Sequence, residues 1–302
     1  MLTRRRFIAI SAALAPSLAM AERAPLHIET GLALGAKVTL RLQHSEAPRL
    51  AALAMTEIRR LEGTFSLYLP DSSLSRLNRD GQLAAPPFEL LECLGLASAV
   101  HAASGGRFDP TVQPLWQAEA RAREAGRPLS DAERTAAQKV VGWPSVSMMG
   151  PEAITLRPGM ALTLNGIAQG YIADRVAGLL AKEGLTRALI DTGEMVALPE
   201  GDWPVSLAGE GHLSLRNRAL ATSAPLGMTF GGDGVTSHIL DPRTARPVVS
   251  CWRSVSISAP TAALADALST AVCLAEDEGV AQEMVRSFPS ARIEQILPAR
   301  AA

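Results

Sequence analysis

Helix-like and strand-like stretches follow one another along this chain without the β-α-β alternation that a parallel sheet requires. Gly35 to Leu42 reads as a strand. "LAALAMTEIRRLEGTFSLY", from Leu50 to Tyr68, carries apolar residues three and four apart and predicts a helix. Pro86 and Pro87 open a second helix through about Ser104, which stops at Gly105-Gly106. Residues 117–139 read as a charged, exposed helical insertion. Short strands are predicted from Ala153 to Arg157 and from Met160 to Leu164, joined by a tight turn at Pro158-Gly159. A helix then follows Gly166 and ends at Gly184, and "RALIDTG" from Arg187 is a strand. The stretch 203–258 is strand-rich, with "RSVSISA" alternating cleanly. The last strong helix is "TAALADALSTAVCLA", with Thr261 as its N-cap. The pattern as a whole predicts an α+β fold.

With 302 residues, 47% of them hydrophobic, the chain is long enough for one large core. Its formal charge of −1 offers no attraction to a nucleic acid or an acidic membrane surface. The N-terminus reads as an address rather than as part of the fold. Thr3-Arg4-Arg5-Arg6-Phe7-Ile8 fits the twin-arginine export pattern, and an apolar run from Ile8 to Leu18 precedes the small residues Ala19-Met20-Ala21. That run is shorter than the ~20 residues a membrane span needs, and Pro16 interrupts it. The expectation is a signal peptide at 1–21, a single domain at 22–302 and a periplasmic location. Cleavage removes three arginines and no acids, which leaves a charge of −4. Cys93, Cys251 and Cys273 show no C-x-x-C spacing, and Cys93 and Cys273 sit on apolar helical patterns that predict buried thiols.

Four stretches carry polar chemistry. In "NGIAQGY", Asn165 to Tyr171, glycines flank a helix start, where backbone N–H groups attract anions; a plain packing turn explains them equally. Asp266 and Thr270 stand i and i+4 on the last helix, so their oxygens share a face and suit two positions of a hard cation. A solvated stripe is the other reading of that pair. His238 precedes the Asp241-Pro242-Arg243-Thr244 turn, which suits an acid–base group or an ordinary surface histidine. In "GGRFDPTVQPLW", 105–116, glycines and prolines indicate a shaped loop, and Asp109 either serves a site or caps its own turn.

Taken in order, these stretches resemble motifs of the FAD:protein FMN transferases, the ApbE family. "FSLYLPDSSLSRLN" (65–78), "GGRFDPTVQPLW", "NGIAQGYIADRV", "SHILDPRTARPV" and "ADALSTAV" are similar to five of its motifs in the family's order. The resemblance implies an ApbE-like, T-fold-like arrangement of mixed sheets with packed helices and a cofactor cleft. It also implies an Mg²⁺-dependent enzyme that cleaves FAD, passes FMN to a Ser or Thr hydroxyl of another protein and releases AMP. By position, the Gly166 carbonyl and the side chains of Asp266 and Thr270 would hold the metal. Leu34, Tyr68, Arg107, Phe108, Asp109, Thr163, Gln169 and Tyr171 would contact the cofactor, and His238 would assist deprotonation of the acceptor hydroxyl. The implied partner is a flavoprotein, or the flavin domain of a membrane electron-transfer complex. The family's D-G-x-S/T-G-x-T acceptor motif has no clear counterpart within this chain.

The departures from the family's pattern are specific. Gln169 stands where many relatives have Lys, Thr163 where Asp is common, and Leu34 where Met is usual. Ser223-Ala224 replaces Ser-Gly, and Ala245 replaces a turn glycine. Gln169, Thr163 and Ala224 favour one rival, an accessory protein that binds FAD without transferring it; a second rival, a FAD pyrophosphatase that gives FMN and AMP, is not distinguished by any residue of the chain.

Overall fold

A computed structural model describes residues 24–33, 35–207 and 211–299. The signal-peptide reading of 1–21 and the cofactor role assigned to Leu34 therefore fall outside the described residues. The chain opens with β1 (Leu26–Ala33), β2 (Ala36–Gln43), α1 (Ala47–Phe65) and α2 (Ser73–Asp80). Next come β3 (Gln82–Ala84), α3 (Phe88–Ala103), α4 (Gln113–Glu124), α5 (Asp131–Gln138), β4 (Ser147–Met148) and β5 (Ala153–Thr155). After α6 (Ala168–Lys182) lie β6 (Ala188–Asp191), β7 (Met195–Ala197), β8 (Trp203–Ser206), β9 (His212–Leu215) and β10 (Arg218–Ser223). The chain finishes with β11 (Leu240–Asp241), β12 (Arg246–Pro247), β13 (Trp252–Ala259), α7 (Ala262–Val272), α8 (Glu278–Arg286) and β14 (Arg292–Pro298).

Seven strands form one sheet in the order β1-β2-β6-β7-β10-β13-β14, and every pairing in it is antiparallel. Strand β2 shows why the sheet has an inner face: Val38, Leu40 and Leu42 are buried at every second position, the period of a pleated strand. Helix α7 covers β10 and β13, and α6 packs between α7 and α1. The α+β expectation holds because the main helices bury their apolar faces on this antiparallel sheet or on a neighbouring helix.

Two local expectations are corrected, and a third segment shows more burial than its alternation indicates. The segment from Met160 to Leu164 is extended but is not a strand. At its centre a side chain takes the place of a strand partner: Asn78 Nδ2 donates to the Leu162 carbonyl at 2.8 Å, and Leu162 N–H donates to Asn78 Oδ1 at 2.7 Å. The 117–139 stretch is helical but half covered. Leu115 and Ala122 join Leu129, Phe230, Leu240 and Ala245 in a second small core, and the buried Glu119 takes a 3.2 Å bond from Arg123. Strand β13 alternates in sequence yet is buried on both faces, with Ser254, Ser256 and Ser258 all enclosed. Small hydroxyls tolerate this where partners reach them: Ser256 Oγ meets Thr222 Oγ1 at 2.8 Å, and Arg218 Nε donates to Ser258 Oγ at 3.0 Å.

The thiols of Cys93 and Cys273 are buried as expected, while Cys251 is exposed, and all three are free. Ala245 adopts a left-handed φ of 56°, the conformation a turn glycine would supply without strain. It is held there by its N–H bond to the Asp241 carbonyl at 2.8 Å and by Arg134, which donates to its own carbonyl at 2.7 Å.

Candidate active site

The site is built on the seam between α6 and α7. Gly166, Gly170 and Asp174 recur every four residues, so they follow one face of the α6 turn and its approach. That face presses on α7. A methyl on Gly170 would lie 2.3 Å from the Ala262 carbonyl oxygen and 2.7 Å from Ala263 N. A methyl on Gly166 would lie 2.9 Å from Thr270 Oγ1 and 3.4 Å from the Phe108 ring. One turn beyond Gly170, Asp174 caps the start of α7, accepting from Ala262 N at 2.7 Å and Ala263 N at 2.9 Å. The glycines are there for close approach, and the aspartate fixes the angle of that approach.

Asp266 lies inside this seam rather than on a solvated stripe. It is only 4% exposed, and its Oδ2 accepts from Gly170 N at 3.4 Å. Burial pushes its carboxyl up to about 8. Glu194, 8% exposed at the start of β7, is pushed well above the usual carboxylate range, first by burial and then by the negative charges of Asp266 and Asp191. A backbone N–H from Thr222 works in the opposite sense. Asp266 is also raised by the charge of Asp174, and an enclosed carboxylate crowded by others favours a nearby cation. Thr270 completes the ledge, its hydroxyl 3.3 Å from Ser223 Oγ. A backbone carbonyl, a carboxylate and a hydroxyl form an all-oxygen set, which fits a hard divalent cation rather than a thiolate- or imidazole-seeking metal.

The remaining predicted residues fall into distinct groups. Phe108 packs against Gly166, so the "GGRFDP" loop and the α6 turn do meet. Thr163 joins them too, donating its N–H to the Pro110 carbonyl at 2.8 Å. Gln169 lies over the turn between β6 and β7: a methyl on Gly193 would meet its Oε1 at 2.9 Å, and Thr192 Oγ1 donates to its carbonyl at 2.9 Å. Tyr68 stands 74% exposed beyond α1, open for a planar group to stack on. Arg107 is tied at one end, Nη2 pairing with Glu276 Oε2 at 2.7 Å and Nη1 donating to the Ser104 carbonyl at 3.0 Å. Its buried Nε has no acceptor among the described residues.

Two of the expected cofactor residues are engaged within the protein. Asp109 accepts from Thr111 N at 2.8 Å on its own loop and from the more distant Trp143 N at 3.1 Å, so its carboxylate ties the two segments together. Tyr171 is buried, its ring edge-on to Phe65 and its hydroxyl bonded to Glu92. The α6 period explains this: Tyr171 follows Gly170 by one residue, about 100° around the helix from the α7 face.

His238 sits apart from the seam, at the end of a hydrogen-bonded loop. Its Nδ1 lies 2.8 Å from the Met228 carbonyl, which can only accept. The neutral ring therefore carries its proton on Nδ1 and presents a bare Nε2. No hydrogen bond or ion pair links His238 directly to Asp266 or Thr270 among the described residues. An indirect tie runs through the turn that follows it: Asp241 holds Arg243 at 2.8 Å, and Arg243 reaches Glu276 Oε1 at 3.0 Å, whose other oxygen holds Arg107.

Asp174, Glu194 and Ser269 are not among the residues the sequence marks, and Ser223 is marked only through the Ser223-Ala224 departure. Asp174 was findable by extending the Gly166–Gly170 spacing one more turn. Glu194 and the serines lie on strand ends and a buried helix face, where no local pattern marks them. Two open clefts, of about 820 Å³ beside Asn78 and Ala161 and about 460 Å³ between α8 and β14, are not lined by Gly166, Asp266 or Thr270.

The sequence model of the ApbE family matches residues 34–293, and the chain belongs to that family. It is 30% identical over 276 residues to the FAD:protein FMN transferase of Treponema pallidum, covering 80% of this chain and 75% of that one. Its fold is similar to the apbe protein from Thermotoga maritima, with a TM-score of 0.79 and 25% identity over 91% of this chain and 97% of that one. It is also similar to the flavinyl transferase ApbE of Pseudomonas stutzeri, with a TM-score of 0.76 and 25% identity over 87% and 90% of the two chains.

Proposed function

We infer that this chain transfers FMN from FAD to a Ser or Thr hydroxyl of another protein and releases AMP. The observation that carries the reading is the buried Asp266 and the Thr270 hydroxyl set directly against the Gly166 turn, in a chain of this family. Mg²⁺ suits the three oxygens offered by Gly166, Asp266 and Thr270. When bound there it supplies a Lewis acid that neutralises charge on the FAD pyrophosphate.

The chain's own groups do the rest. Tyr68 offers an exposed face for the adenine, and Arg107 lends positive charge beside the Phe108 loop. Phe108 and Gly166 together close one wall of the seam. His238 Nε2 takes the proton of the acceptor hydroxyl as its oxygen forms a bond to the FMN phosphorus, and the bond from that phosphorus to the AMP oxygen breaks. A positioned base of this kind contributes about 10²–10⁴-fold. The loop that ends on His238 turns Leu226, Met228 and Val235 to solvent, an apolar surface that suits a polypeptide acceptor better than water. The acceptor class is a flavoprotein or the flavin domain of a membrane electron-transfer complex, met in the periplasm after twin-arginine export.

The test uses residues 22–302 with FAD, Mg²⁺ and a peptide carrying a D-G-x-S/T-G-x-T motif, read by mass spectrometry. The expected result is a peptide heavier by one FMN as AMP appears; AMP without the modified peptide would move the reading to hydrolysis. His238→Ala should still bind FAD and transfer about 10²–10⁴-fold more slowly. Unchanged transfer would remove His238 from its role. Replacing Arg4 and Arg5 together by Lys should hold a full-length fusion in the cytoplasm, and undiminished export would refute the twin-arginine route.

A further inference from the structure

We propose that Ser223 is a positioning residue for the cation site: a directed relay of hydroxyls takes the proton of Thr270 and leaves that oxygen's lone pairs turned to the Gly166 side. The inference rests on the Mg²⁺ reading above. Its direction follows from counting hydrogens, since each hydroxyl has one to give. Ser269 Oγ lies 2.9 Å from the Asp266 backbone carbonyl, which can only accept, so the Ser269 hydrogen is used there. Ser223 Oγ lies 2.7 Å from Ser269 Oγ and must be the donor in that contact. Ser223 then has no hydrogen left for Thr270 Oγ1 at 3.3 Å, so Thr270 donates to Ser223. The relay runs from Thr270 through Ser223 and Ser269 to the Asp266 carbonyl.

Its framework is fixed at both ends. Ser269 is fully buried on α7, and Ser223 is the last residue of β10, paired across the sheet with Val255. Thr270 Oγ1 also borders the Gly166 turn, where a methyl would come within 2.9 Å. A cation approaching from that side meets lone pairs only. Without Ser223, the Thr270 hydrogen is free to turn into the same space and oppose the cation's charge.

The experiment titrates MgCl₂ alone into residues 22–302 by calorimetry and, separately, follows FMN transfer to the peptide at graded Mg²⁺. Ser223→Ala should raise the Mg²⁺ Kd roughly tenfold, the size of one net hydrogen bond, with kcat at saturating Mg²⁺ largely kept. Ser223→Thr, which restores the hydroxyl, should return the Kd to the wild-type value. Ser269→Ala should also weaken Mg²⁺, because Ser223 would then turn its freed hydrogen on Thr270. The double variant should bind no more weakly than Ser223→Ala. An unchanged Kd in Ser223→Ala, even with a lower melting temperature, would reduce the serine to a structural role and overturn the proposal. Additive losses in the double variant would overturn the direction of the relay. A wild type that neither binds Mg²⁺ nor loses transfer in EDTA would instead bring down the metal reading itself, and this inference with it.

Discussion

Gly170→Ala is expected to destabilise the protein by about 3 kcal/mol, the upper part of the usual range for overpacking a filled interior. For a chain of this size that is a fall in melting temperature of roughly 6–12 °C. The reason is the nature of the obstacle. The added methyl would sit 2.3 Å from the Ala262 oxygen, 2.4 Å from its carbonyl carbon and 2.7 Å from Ala263 N, all backbone, so no side chain can swing aside. Moving α7 away would stretch the two bonds by which Asp174 caps it. It would also draw Asp266 off Gly170 N, and transfer activity should fall with stability. The control lies on the same helix. Gly178 faces solvent with nothing within 4 Å of an added methyl, so Gly178→Ala should stabilise by about 0.5–1 kcal/mol through helix propensity alone. Thermal and denaturant melts of the two variants check the pair. Equal behaviour would mean that the α6–α7 seam gives way easily and does not set the geometry of the site.

What the sequence revealed and what it concealed divide along one physical line. Periodicity and caps report local geometry, and there the reading was sound: Thr261 does cap α7, Gly184 does follow the end of α6, and Asp266 and Thr270 do share a helix face. Whether a polar face is then covered depends on residues far along the chain. "RSVSISA" alternates as a half-exposed strand would, but its serines are enclosed, and Thr222 and Arg218 reach Ser256 and Ser258 from β10. Met160 to Leu164 looked like a strand because it is extended, and its true partner, Asn78, is 84 residues away in sequence. Asp266 follows the same rule. Its spacing from Thr270 could be read directly, while its burial comes from Gly166 in the turn before α6 and Gly170 within α6, which let that segment lie against α7. Tyr171 shows the converse, a polar residue beside a motif whose helical phase turns it into the core.

Asp266→Asn separates what this carboxylate does for the fold from what it does for the reaction. FMN transfer should drop by about 10³-fold or more, because the cation loses the one formal negative charge among its proposed ligands and several kcal/mol of charge stabilisation go with it. In EDTA the same variant should be at least as stable as the wild type. The amide keeps the carboxyl's shape and can still accept from Gly170 N, but it carries no charge to strip of water. The pH dependence gives the sign. A carboxyl that burial has pushed up to about 8 keeps its proton in the folded chain while the unfolded chain releases it near the ordinary 3.8 of an aspartate. Its contribution is therefore fully present below that lower value and is lost as the pH rises through about 8. The chelated wild type should lose stability across that window, and Asp266→Asn should lose less. Full activity in the variant would end the metal assignment for Asp266. A large fall in its melting temperature in EDTA would mean that the carboxylate supports the fold outright, whereas a gain identifies it as a group the fold holds at a cost for the sake of the cation.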